Sequence, residues 1–272
     1  KNIPVMYLYA TSDGSMWLGY RSVLAKYDTN GQLVKEYPIR NEHGGASISG
    51  FCESRNHEII ISVWNGRVYH LDKEKDEFIP YPDKMRSRNP TVMVQDNEQD
   101  YFWLATWGDG VVRFDPSAPG DSMFVYSEIP VNAAGEEDGL ILSLAQDDKL
   151  GYIWLTTGHD FMALQIQPDR TLKQLKFPAG LLPVNHMLVE VLKGKECLWV
   201  SAFDRPSFIL HLMDNITKDY ALPALADRVN RSPAIMALCD DGDGMMWMMQ
   251  ERTGLALYDL KQDKVKIYSD FP

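Results

Sequence analysis

Between Asp100 and Asp115 the chain reads DYFWLATWGDGVVRFD, with apolar or small residues alternating with polar ones on either side of Gly108-Asp109-Gly110. This period-two pattern around a glycine-rich corner predicts two antiparallel strands joined by a tight turn. A lone hairpin cannot bury its tryptophan face in water and needs neighbouring strands. The chain supplies them by repetition. With Trp103 as anchor, the same pattern returns at Trp17, Ile60, Trp154, Trp199 and Trp247, at spacings of 43, 43, 51, 45 and 48 residues. Each anchor follows an apolar strand and a polar turn, and each hairpin precedes a short strand ending near an aromatic, as in VKEYP, MFVYS and VKIYS.

Every repeat therefore holds four strands, a to d in order, with the anchor in strand b. A period near 45 residues is what one four-stranded propeller blade consumes. The expected fold is all-β: a β-propeller of four-stranded antiparallel blades, six repeats, at about 1–40, 41–85, 86–130, 131–180, 181–225 and 226–272 of a single domain. Trp17, Trp103, Trp154, Trp199 and Trp247 are expected in equivalent buried places. The longest irregular piece, Ser127–Gly139, falls between strands d and a and is expected as a loop.

If strand a is innermost, the b–c and d–a connections share one face of the disc, and the a–b and c–d connections share the other. The second face is a set of Asp-, Asn- and Gly-rich turns. The first carries nine of the twelve arginines: Arg21, Arg40, Arg67, Arg86, Arg88, Arg205, Arg228, Arg231 and Arg252. It also carries Trp64 and Trp107 at glycine corners, Phe203, and the histidines His43, His159 and His186.

Composition narrows the classes. A net charge of −11 argues against a nucleic-acid or anionic-membrane surface, and no apolar run is long enough to span a bilayer. Cys52 and Cys239 share a column of strand a in blades two and six, and Cys197 lies in strand b of blade five. No two of them are placed to pair, so three buried thiols are expected. The histidines lack metal-ligand spacing, and Asp240-Asp241-Gly242-Asp243-Gly244 reads as a solvated turn rather than a calcium loop. No catalytic residue, metal or cofactor is expected.

The repeat grammar resembles the two-component regulator propeller repeat. It is carried by Asp13-Gly14-Ser15-Met16-Trp17-Leu18-Gly19, by Trp103–Thr106 with Gly110–Asp115, by Trp154–Thr157, and by Asp243–Trp247 with Gly254–Asp259. Blades two and five depart from it, with Ile60 in place of Trp and Phe203-Asp204-Arg205-Pro206 in place of a glycine corner. The resemblance implies the periplasmic ectodomain of a hybrid two-component receptor that senses glycan breakdown products and dimerises in its full-length form. It also implies wheels of seven or more blades, to which six repeats could belong.

The expected ligand is an oligosaccharide, with the arginine face pointing to an acidic one, because guanidinium forks match carboxylate or sulfate oxygens. The residues expected to bind it are Arg21, Trp64, Trp107, His159, Phe203, Arg205, Arg231 and Arg252. Simple rim packing of the two tryptophans, and pairing of the arginines with Glu42, Asp160, Asp204, Asp227 and Glu251, are the competing readings. The alternative functions are a streptogramin-lyase-like propeller enzyme and a protein–protein interaction propeller.

Overall fold

The computed structural model describes residues 7–20, 22–41, 44–64, 66–82, 84–87, 89–132, 134–175, 188–193, 197–202, 207–211, 216–220, 235–240, 244–250, 254–259, 261–262 and 264–268. Six four-stranded antiparallel sheets contain almost all of the regular structure. Sheet 1 is Tyr7–Ala10 (β1), Met16–Tyr20 (β2), Val23–Tyr27 (β3) and Leu33–Pro38 (β4). A two-stranded ribbon, Arg40–Asn41 (β5) with Gly44–Gly45 (β6), leads on to sheet 2: Ile48–Glu53 (β7), Ile59–Val63 (β8), Arg67–Asp72 (β9) and Glu77–Pro80 (β10). Sheet 3 is Pro90–Gln95 (β11), Phe102–Thr106 (β12), Val111–Phe114 (β13) and Phe124–Tyr126 (β14). Sheet 4 is Ile141–Asp147 (β15), Tyr152–Thr157 (β16), Phe161–Ile166 (β17) and Leu172–Gln174 (β18). Sheet 5 is Leu188–Lys193 (β19), Cys197–Ala202 (β20), Ser207–His211 (β21) and Ile216–Tyr220 (β22). Sheet 6 is Ile235–Asp240 (β23), Met245–Gln250 (β24), Gly254–Asp259 (β25) and Lys264–Tyr268 (β26).

The chain divides into two compact units, residues 1–127 and 128–272, with three sheets in each. Within the first unit β7 lies beside both β1 and β11, and within the second β19 lies beside both β15 and β23. The first strands of successive sheets are thus neighbours, as strands lining a propeller channel are.

Register shows that the six anchors are equivalent. Tyr9 pairs with Trp17, Cys52 with Ile60, Val94 with Trp103, Ala145 with Trp154, Leu192 with Trp199 and Cys239 with Trp247. In sheets 1 and 2 the anchor faces forward, onto the following sheet. Trp17 packs among Phe51, Ile59, Ile61 and Tyr69 of sheet 2, with its ring 5.7 Å from Phe51 and edge-on to Phe78 at 6.2 Å. Ile60 and Cys52 pack against Met93, Phe102 and Leu104 of sheet 3. Burial of such rings and branched side chains is the main favourable contribution to the fold.

Trp17, Trp103 and Trp154 are buried as expected, and the Trp199 side chain lies outside the described residues. Two expectations need correction, for one reason. Trp247 is only half-buried and Cys239 is exposed, whereas Cys52 is buried and burial pushes its thiol up to about 11. Trp247 and Cys239 lie in the forward-facing columns of sheet 6, and among the described residues of their unit no sheet covers that face. Trp247 keeps the aromatic of its own outer strand, Tyr268, at 5.6 Å. Among the described residues of its unit it has no counterpart of Phe51 or Phe78. Cys197 lies in β20, its side chain outside the described residues.

A second device holds the anchor. The Trp103 indole N–H donates to Asp96 Oδ2 at 2.9 Å, and Trp154 donates to Asp147 Oδ2 at 3.4 Å. Both carboxylates are buried, and the other oxygen of Asp96 accepts the amides of Glu98 and Gln99. One side chain thereby closes the a–b turn and satisfies an indole that burial would otherwise leave unpaired. In sheet 1 the corresponding turn residue is Thr11, whose hydroxyl goes to Asp13 and the Ser15 carbonyl. Trp17 Nε1 accordingly has no hydrogen-bond partner among the described residues.

Adjacent a–b turns are clasped to one another. Glu53 accepts the Ser12 amide and hydroxyl, each at 2.6 Å, and lies 2.9 Å from His57 Nδ1. Arg55 donates to the Asp96 carbonyl at 2.5 Å and also reaches the Gln99 carbonyl. Burial alone would raise the Glu53 carboxyl, but the bonds from Ser12 and His57 together outweigh it and hold it below the ordinary 4.5.

Two outcomes are expected. Trp154 stacks on Phe161 with centroids 5.5 Å apart and planes 2° from parallel, so Trp154→Ala, followed by urea unfolding, costs about 3–5 kcal/mol. The Glu53 clasp contributes stability above the ordinary glutamate value and loses it as pH falls through the depressed folded value. The urea midpoint of Glu53→Gln therefore declines less between pH 6 and pH 3 than that of the wild type. Parallel declines would show that the clasp contributes nothing.

Candidate functional site

Strand β8 ends at Val63 and turns through Trp64 and Gly66 into β9; β12 ends at Thr106 and turns through Trp107–Gly110 into β13. The second corner is fixed by Thr106, whose hydroxyl donates to the Gly110 carbonyl at 2.7 Å and accepts the Asp109 amide at 3.1 Å. Gly108 and Gly110 take φ of 121° and 70°, a region that costs other residues strain. The two corners are repeats of one another in their bonding also. Trp64 N–H donates to the Ser47 carbonyl at 2.9 Å, and Trp107 N–H to the Asn89 carbonyl at 2.7 Å.

Those bonds tie each b–c corner to the segment entering its own sheet, so these two connections do share a face within the unit. They also bring the tryptophans together, with rings 5.7 Å apart and inclined at 58°. Trp64 is half-buried. Trp107 is 52% exposed, which is unusual for so large an apolar ring.

Met85 and Ser87 pack directly on the first corner. A Cβ at Gly66 would lie 2.4 Å from the Ser87 carbonyl oxygen and 2.9 Å from that of Met85, and φ there is 75°. Only glycine lets these chains approach, and Met85 N–H uses the approach to reach the Gly66 carbonyl at 2.9 Å. Ser87 N–H donates to Tyr126 Oη at 3.0 Å. The Arg86 guanidinium lies 4.1 Å above the Tyr126 ring and 4.0 Å from Asp109 Oδ1. Burial, foremost, raises the Tyr126 phenol, keeping it a neutral platform. Ser87 is buried, and among the described residues its Oγ has no hydrogen-bond partner. Two indoles, a guanidinium, a carboxylate and a phenol thus meet at the rim between sheets 2 and 3.

Of the residues expected to bind, the structure brings Trp64 and Trp107 together. His159 lies in the second unit, where its Nδ1 is 3.2 Å from Asp138 Oδ2. Thr157 donates to the same buried oxygen at 2.5 Å, so Asp138 ties the d–a loop to the b–c corner of sheet 4. Arg21, Phe203, Arg205, Arg231 and Arg252 lie outside the described residues, as do Arg88 and Arg228. The acid found beside Arg86 is Asp109, which was not among the acids expected to pair with arginine. Arg86 and Tyr126 were not singled out from the sequence. The available signal was the position of Arg86 in a d–a connection one repeat-corner away from Trp107.

No protein-family model matches the chain, and no curated protein matches it in sequence. Solved structures do resemble it. The extracellular domain of BT4673 from B. thetaiotaomicron, assigned to a hybrid two-component system, superposes with a TM-score of 0.73 at 15% identity, covering 100% of this chain and 34% of that one. A catalytically inactive variant of virginiamycin B lyase from Staphylococcus aureus, solved with quinupristin, gives 0.69 at 18%, covering 94% of this chain and 80% of the lyase. The β-propeller domain of Myceliophteria thermophila Cps50 (Swd1) gives 0.69 at 13%, covering 100% and 88%. The chain spans about a third of the BT4673 ectodomain. At these identities the likeness is one of fold, and together with the six antiparallel blades it identifies the chain as an all-β protein of the β-propeller fold.

Proposed function

We propose that the chain is the ligand-binding part of a sensory ectodomain of hybrid two-component type, recognising oligosaccharides in the periplasm and working as a dimer in the full-length receptor. The observation that carries this is the exposed Trp107 ring beside Trp64, at a rim where polar groups converge. Apolar sugar faces stack on such rings while hydroxyls take up flanking donors and acceptors. Support for the receptor class comes from the likeness to the BT4673 ectodomain and from the repeat grammar around Trp17, Trp103, Trp154 and Trp247. The lyase reading requires a histidine and a glutamate converging on a metal. His159 lies against Asp138 and Thr157, an arrangement that holds a loop.

Isothermal titration of neutral and acidic oligosaccharides against wild type and Trp107→Ala tests the reading. Because Trp107 is exposed, the variant keeps its unfolding midpoint, while affinity for the oligosaccharide that binds falls at least tenfold. Binding that survives Trp107→Ala unchanged, or a panel in which nothing binds, would refute it.

A further inference from the structure

Arg86 is held in a way that folding does not require. Its backbone is fixed on both sides: Met85 bonds Gly66, Ser87 bonds the Tyr126 hydroxyl, and Asn89 accepts from Trp107. Its guanidinium is spread on the Tyr126 ring at 4.1 Å, which sets the plane of the fork. Yet the side chain is 70% exposed and, among the described residues, makes no hydrogen bond; its acidic neighbour, Asp109, stands at 4.0 Å, the outer limit of an ion pair. An exposed pair at that distance contributes little to stability. The arrangement amounts to a pre-oriented set of N–H donors facing water, carried on the chain segment that bonds the Trp107 amide.

We infer that Arg86 is the anion-recognising residue of the Trp64–Trp107 site, so that the sugar stacked on Trp107 carries a carboxylate or sulfate. The inference rests on the oligosaccharide reading given above and narrows it to acidic sugars. A planar guanidinium offers two parallel N–H bonds to such a group, a geometry that lysine cannot reproduce. Stacking on Tyr126 removes in advance much of the rotamer freedom that binding would otherwise cost. Asp109 keeps the empty fork aimed, and the incoming anion displaces a weak, solvated contact rather than a tight one. The fork also imposes selectivity, since a cationic sugar meets like charge there and a neutral one does not.

The test uses the whole chain and two matched probe pairs: trigalacturonic acid with its methyl ester, and a sulfated chondroitin disaccharide with its unsulfated form. Each is titrated calorimetrically against wild type, Arg86→Gln and Arg86→Lys at 50 and 500 mM salt. Wild type should bind at least one anionic probe tenfold or more tightly than its partner lacking that anion, with the advantage shrinking at high salt. Arg86→Gln should abolish the preference while retaining binding of the neutral partner, and Arg86→Lys should restore only part of it. The pair that shows the preference identifies the anion. Equal binding of both members of each pair, or a preference that survives Arg86→Gln, overturns the role of Arg86 and leaves the oligosaccharide reading standing. Binding of none of the four probes, alongside binding of other neutral sugars, overturns this inference alone, whereas no binding of any sugar overturns both.

Discussion

The structure depends on one side chain per repeat, the strand-b anchor. In sheets 1 and 2 it leaves its own sheet and fills the face of the next one. A four-stranded sheet of this size has two faces and too little apolar area to bury them alone. Trp17 and Ile60 solve that by pairing the forward faces of sheets 1 and 2 with the rear faces of sheets 2 and 3. In sheets 3 and 4 the anchor indole N–H is also satisfied, by Asp96 and Asp147, which at the same time close the turn that precedes the anchor strand. Packing and turn closure are thereby coupled through a buried carboxylate.

With the core supplied by strands, the connections are free to differ from repeat to repeat. On one side they have become clasps, as between Ser12 and Glu53 or Arg55 and Gln99. On the other, Gly66 lets Met85 and Ser87 descend onto a b–c corner, and Asn89 accepts from the Trp107 amide. The rim at which Trp64, Trp107 and Arg86 meet is therefore a consequence of blade stacking. Two equivalent corners are brought side by side by the repeat, and Met85, Ser87 and Asn89 bond or pack against both.

The blades were legible because the anchor spacing and the period-two strands are properties of the chain itself. The pairing of Trp64 with Trp107 was partly legible, since both occupy the same corner of consecutive repeats. Other features were not. That Trp247 and Cys239 would be less covered than Trp17 and Cys52 depends on which face of a sheet the anchor uses, and alternation alone does not reveal that. The acid seven residues before Trp103, Trp154 and Trp247 is visible in the sequence, but among so many turn aspartates its bond to the indole could not be distinguished from ordinary turn chemistry. Arg86 stood out no more than eight other arginines, because its distinction lies in the Tyr126 ring beneath it, forty residues away in sequence.

Anchor packing and turn closure form a single coupled unit at Trp103 and Asp96. The direct test is a double-mutant cycle on Asp96→Ala and Trp103→Phe, the second removing the indole N–H while keeping an aromatic ring. Unfolding free energies from urea titration should show the two changes to be non-additive, with a coupling of about 1.5–3 kcal/mol for a buried, charge-assisted bond. Costs that add to within about 0.3–0.5 kcal/mol would contradict it, because independent sites behave in that way.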